Sequence, residues 1–186
     1  FNVQAGYGAV LGKTTSLPPY SLYYGGGPDS VRGFYPGSLG PKDQFGNPYG
    51  GNMNVLARAE LILPMPAKIE ASARVKLFFD VGNIFFTHGC SNDVIDPGAA
   101  RCTQFYAPPE GYSQGQTVFG TLGPPVRYDF SYNNLKKSAG IAVEWLAPLG
   151  LFRFSFAVPL NAQHEIDNVT WGDNVERFQF DVGQAF

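Results

Sequence analysis

Charge is scarce in this chain: 13 basic and 15 acidic residues among 186, or 15%, against roughly 25% in an ordinary soluble domain. The net charge of −2 leaves no basic footprint, which excludes nucleic acid as a partner. Histidine is scarcer still. His88 and His164 stand in no spacing with Ser or Asp that suggests a triad, and no Gly-x-Ser-x-Gly elbow occurs, so the sequence carries no sign of an enzyme. The two cysteines, Cys90 and Cys102, have only His88 nearby and fall short of the four ligands of a structural zinc site. Gly25-Gly26-Gly27 is followed by no Lys-Ser/Thr and opens no helix, which removes a phosphate loop. Neither a metal nor a cofactor is therefore expected. A run of about 18 apolar residues is also missing, and with it any transmembrane helix.

Glycine and proline, by contrast, are abundant at 23 and 15 residues, and they exclude a helical bundle. Hydrophobic residues make up 44% and aromatic ones 15%, so the chain reads as β-rich and turn-rich. Its length suits one domain or a piece of one. The opening Phe1-Asn2-Val3-Gln4 is neither a signal peptide nor a helix cap and reads as the middle of a strand.

Period-2 alternation predicts six strands, each with one apolar and one small or polar face, at 2–10, 52–63, 74–85, 138–147, 151–159 and 176–186. In the fifth, Phe152, Phe154, Phe156 and Val158 alternate with Arg153, Ser155 and Ala157. In the sixth, Phe178, Phe180, Val182, Gln184 and Phe186 alternate with Arg177, Gln179, Asp181 and Gly183. Connections alternate between long (11–51, 86–137, 161–174) and short (around Pro64-Met65-Pro66, and Ala147-Pro148-Leu149-Gly150). Antiparallel strands joined in this way gather the long loops at one end of the sheet and the tight turns at the other.

Two solvents compete for the apolar face. In a soluble β-sandwich it forms a core; in a transmembrane barrel it meets lipid. The opposite face carries Arg58, Glu60, Arg74, Lys76, Asp80, Glu144, Arg153, Arg177 and Asp181, almost charge-balanced and threaded with glycine and alanine, as suits a lumen filled by an inserted loop. Strands of about 9 to 12 residues match a tilted crossing of about 30 Å of hydrocarbon. The barrel is the better reading. Six strands are fewer than the eight of the smallest such barrels, so the chain is expected to be part of a larger one. A sheet with two open edges and a large apolar face is expected to need detergent, or other copies, to stay dispersed.

The first long loop holds Val31-Arg32-Gly33-Phe34 and then Leu39-Gly40-Pro41, between Tyr23-Tyr24-Gly25-Gly26-Gly27 and Gly50-Gly51-Asn52. Leu61-Ile62-Leu63-Pro64-Met65-Pro66, Phe78-Phe79-Asp80-Val81-Gly82, Ser138-Ala139-Gly140-Ile141 and Phe178-Gln179-Phe180-Asp181-Val182-Gly183 follow in order. Together these segments resemble the C-terminal part of the BamA family of bacterial outer-membrane protein assembly barrels, with the poorest agreement in residues 86–137. TamA-like translocation proteins and two-partner secretion transporters share the Arg-Gly loop signal and are the alternatives within the superfamily. An outer-membrane barrel enzyme or a soluble β-sandwich binding module is the alternative outside it.

The resemblance implies an all-β fold: an antiparallel transmembrane barrel of 16 strands, of which residues 1–186 would be strands 11 to 16. The barrel would be preceded by periplasmic POTRA domains that this chain lacks. Long loops would lie outside the cell, and the short turns and C-terminus in the periplasm. The implied function is insertion of β-barrel clients into the outer membrane, with lipid, unfolded clients and assembly lipoproteins as partners. The loop-6 arginine would be Arg32, held by Glu60 and Asp80 on the inner wall, with Gly33 allowing close approach and Phe34 anchoring by packing. Arg58 and Lys76 beside those acids favour an ion network over a catalytic carboxylate pair. The last strand, with Phe178, Phe180, Val182, Gly183 and Phe186, would be the seam to which a client strand adds. Cys90 and Cys102, in a loop facing an oxidising compartment, would form a disulfide worth roughly 3 kcal/mol.

Overall fold

The computed structural model describes residues 1–9, 17–66, 72–87, 105–110, 123, 125–148, 150–164 and 170–183. Six strands form one sheet: β1 (Asn2–Tyr7), β2 (Met53–Leu63), β3 (Ala73–Phe85), β6 (Lys136–Ala147), β7 (Gly150–Pro159) and β8 (Phe178–Gly183). They lie in the order β1-β2-β3-β6-β7-β8, every pair antiparallel, so each strand joins its sheet neighbour next along the chain. Two further strands, β4 (Phe105–Tyr106) and β5 (Pro125–Val126), pair with each other inside the long connection from β3 to β6. At two residues each, they carry no period by which the sequence could mark them.

The turns follow from local chemistry. Pro64 and Pro66 supply no amide to a ladder and end β2. The Ala147↔Gly150 pair leaves two residues between β6 and β7, a tight hairpin, with Gly150 at φ +144°. Two strand limits differ from the sequence reading. β1 ends at Tyr7 rather than at residue 10, the last of which lies outside the described residues. β8 starts at Phe178 rather than 176, because Val175 and Glu176 pair with the first long loop instead of with β7. Residues 184–186, and so Phe186, lie outside the described residues.

Register sorts the two faces. On one, Leu77, Ile141, Phe156 and Phe178 align across four strands, beside the row Val75, Val143, Phe154 and Phe180. The aromatic rings touch along these rows, with centroids 4.8 Å apart for Phe156–Phe178 and 5.1 Å for Phe154–Phe180. This face is bare: Leu77, Phe79, Ile141, Trp145, Phe156, Phe178 and Phe180 are all exposed. A stripe of this width has no place on the surface of a soluble monomer, whose apolar patches rarely exceed a few hundred Å².

The other face is covered by the first long loop. Val31, Phe34 and Leu39 of the loop pack on Leu56 of β2, while Phe78, Ala142 and Ala157 form a second cluster across β3, β6 and β7. At the loop end, Leu22, Phe86 and Phe105 gather Tyr49 and Tyr128 around them. The loop backbone lies directly on the sheet, as Ile84 shows: a Cβ on Gly40, which sits at φ +100°, would come within 2.7 Å of the Ile84 Cβ. Many of the loop glycines thus serve close approach.

Candidate functional site: an arginine lock on the covered face

The loop carries one arginine into the covered face, and β2 and β3 present the acids that meet it. Asp80 stands on an even position of β3, inward by alternation, opposite Arg58 of β2 and Ser138 of β6. Glu60 stands two residues further along β2 on the same face, opposite Phe78. Arg32 enters between them. Its Nε donates to Asp80 Oδ2 at 2.7 Å and its Nη2 to Asp80 Oδ1 at 2.8 Å, a bidentate fork, while its backbone amide donates to the same Oδ2 at 3.1 Å. Nη1 lies 2.9 Å from Glu60 Oε1. Beneath the guanidinium is the ring of Phe78, with Cζ 3.6 Å from its centroid.

Both members of the central pair are out of water: Asp80 is 0% exposed and Arg32 6%. A buried charge is tolerable only when paired and hydrogen-bonded, and here the planar fork matches the carboxylate while the ring fills the remaining face. Ion pairs continue outward from Glu60 to Lys76 at 3.4 Å and from Lys76 to Glu144 at 2.6 Å. Loop and wall meet a second time where Arg153 of β7 faces Asp181 of β8 at 2.8 Å and Asp29 of the loop at 3.7 Å. This arrangement holds the loop against the wall.

Gly33 meets two demands at once. Its φ is +89°, a conformation other residues rarely adopt, and a Cβ there would lie 2.9 Å from the Ala157 Cβ. Phe34 is 0% exposed and bridges to Val175, just ahead of β8. Val31, 1% exposed, packs in the same cluster. Phe178, Phe180, Val182 and Gly183 form β8 with Gln179 and Asp181; the three apolar side chains lie on the bare face, and among the described residues the strand pairs only with β7. Cys90, Cys102 and Phe186 lie outside the described residues.

Three participants escaped the sequence reading. Phe78 shares its face of β3 with Lys76 and Asp80, and an aromatic among charges is itself a signal for a cation. Gln179 was likewise placed inward, but its partners are the backbone of Gly33 and Phe34, 145 residues or more away in the chain. Ala157 seats Gly33, and its small size on a strand otherwise rich in phenylalanine was the only clue.

Comparison with known proteins places these features in a wider set. The Omp85 superfamily domain matches residues 1–186. The outer membrane protein assembly factor BamA of Neisseria meningitidis serogroup B is 36% identical over 188 residues, covering 98% of this chain and 21% of that protein. The BamA of Nitratidesulfovibrio vulgaris is 24% identical over 186 residues, covering 96% of this chain and 17% of its own length. The chain thus spans about a fifth of the length of these relatives.

Proposed function

The chain belongs to the Omp85 superfamily, and from that premise we propose that it forms the lock-and-seam part of an outer-membrane barrel that inserts β-barrel proteins into the membrane. The observation that carries this reading is the buried Arg32–Asp80 fork, which fastens a long loop across the covered face beside β8, a strand that among the described residues pairs only with β7. Insertion into a bilayer requires that every backbone amide of an incoming strand be satisfied, and a free strand edge supplies partners one rung at a time. β8 would provide that edge to a client strand by β-augmentation. Its inner face is dressed by the loop, and its outer face, with Phe178, Phe180 and Val182, is apolar enough to meet lipid. Glu60 and Asp80 would keep the loop docked, so that the lumen stays filled while the edge is in use.

The long loops would then face the exterior and the tight turns the periplasm, with lipid, unfolded clients and assembly lipoproteins as partners. The similarity to two BamA proteins supports this reading over a translocation or secretion barrel. Arg32→Ala in the intact protein tests it: we expect the loop to become protease-sensitive and client insertion to fall. Full protection of the loop together with native insertion would refute the lock.

A further inference from the structure

The loop tip is fastened to more than the acids of β2 and β3. Gln179 of β8, 4% exposed, reaches the peptide that follows Arg32: its Nε2 donates to Phe34 O at 2.7 Å, and its Oε1 accepts from Gly33 N at 3.4 Å. A primary amide used in this way acts as an extra rung of backbone. Real rungs lie beside it, since Glu176 N donates to Gly33 O at 3.0 Å and Tyr35 N to Asn174 O at 2.9 Å, around the Phe34↔Val175 bridge. Residues 32 to 34 therefore cross the covered face from β3 to the start of β8, with Gly33 pressed on Ala157 of β7 between them.

We infer that Gln179 is a positioning residue that couples the arginine lock to the edge strand, so that release of Arg32 from Asp80 loosens the loop end of β8. Pair counts show why the coupling matters. Among the described residues β8 shares 6 register pairs with β7, whereas β6 and β7 share 10 and β2 and β3 share 11. The loop contacts thus form a substantial part of what holds the beginning of β8. Fraying of the edge would start at that end and would follow the state of Arg32. This deepens the seam proposed above and rests on the same reading of β8.

Amide hydrogen exchange on the intact protein in lipid nanodiscs tests the coupling without any client. In Gln179→Met, loss of the short bond to Phe34 O, together with the long contacts to Gly33 N at 3.4 Å and Glu176 Oε2 at 3.5 Å, should speed exchange at residues 174–183 and 33–35 by roughly ten-fold, with the β2–β3 ladder unchanged. Arg32→Lys, altered on the far side of the face, should speed exchange in the same 174–183 segment. Gln179→Asn keeps an uncharged amide but shortens its reach by one methylene, so it should speed exchange at 174–183 as the Met variant does; it decides the matter if the Met variant does not fold. Native exchange at 174–183 in the Gln179 variants would overturn the proposal, as would equal acceleration in β2 and β3, or an Arg32→Lys effect confined to the loop. If exchange changes as expected but Gln179→Met inserts clients at the native rate, the coupling stands and the use of this edge in insertion falls.

Discussion

Replacing Asp80 with asparagine preserves the shape of the side chain and removes its charge, which makes it the sharpest perturbation of the lock. Asp80 is 0% exposed and accepts three bonds from Arg32: from Nε at 2.7 Å, from Nη2 at 2.8 Å and from the backbone amide at 3.1 Å. An asparagine retains one acceptor and turns an NH₂ group toward a guanidinium that has only donors. Arg32 would be left buried with Glu60 alone, at 2.9 Å. Breaking a buried pair on one side costs about 3–5 kcal/mol, so the loop-opening equilibrium should rise by roughly two to three and a half orders of magnitude. Glu60→Gln provides the contrast. Its side chain is 33% exposed and holds Arg32 through Nη1 only, so its loss should cost about 1 kcal/mol, less than ten-fold. Limited proteolysis of the loop, or exchange at its amides, in the two variants of the intact protein reads the difference. Equal small effects, or a larger effect at Glu60, would refute the assignment of Asp80 as the principal partner.

Three further outcomes are expected. Gly33→Ala adds a left-handed backbone penalty of about 1 kcal/mol to a contact of 2.9 Å with Ala157, so the loop should become protease-sensitive, and Ala157→Gly should restore part of the protection. Phe78→Leu removes the ring 3.6 Å beneath the guanidinium and should weaken docking by about 1–2 kcal/mol, measured by the same exchange, without altering the charge on the face. Cys90 and Cys102 should be joined, so intact mass should rise by two hydrogens on reduction; an unchanged mass would show two free thiols.

The faces of the sheet were legible in the sequence because a period of two admits only one division: once Phe152, Phe154 and Phe156 share a side, Arg153, Ser155 and Ala157 must share the other. The six strands and their antiparallel order follow from that alternation and from the unequal connections. What lies over the covered face was not legible by the same means. The course of the loop depends on contacts such as Gly40 on Ile84 and Gly33 on Ala157, which join residues 44 and 124 positions apart, and no local pattern encodes them. The resemblance supplied Arg32, Glu60 and Asp80 as a group; physical reasoning added that two of the three stand on one face. β4 and β5 were missed because two-residue strands carry no period. They pair where Phe105 meets Tyr49, Phe86 and Tyr128 edge-on at centroid distances of 5.2, 5.2 and 5.3 Å. The early limit of β8 was missed for a related reason: Val175 and Glu176 continue the strand-like pattern but give their pairing to the loop.

The central claim is the proposal that clients are assembled on the edge of β8 that does not face β7. A reversible disulfide between β8 and the strand that faces its edge in the intact protein, with insertion of a β-barrel client into liposomes followed before and after reduction, tests this most directly. Insertion should fall to the uncatalysed rate while the edge is tied and recover when reductant frees it. An insertion rate that is the same in both states would contradict the account.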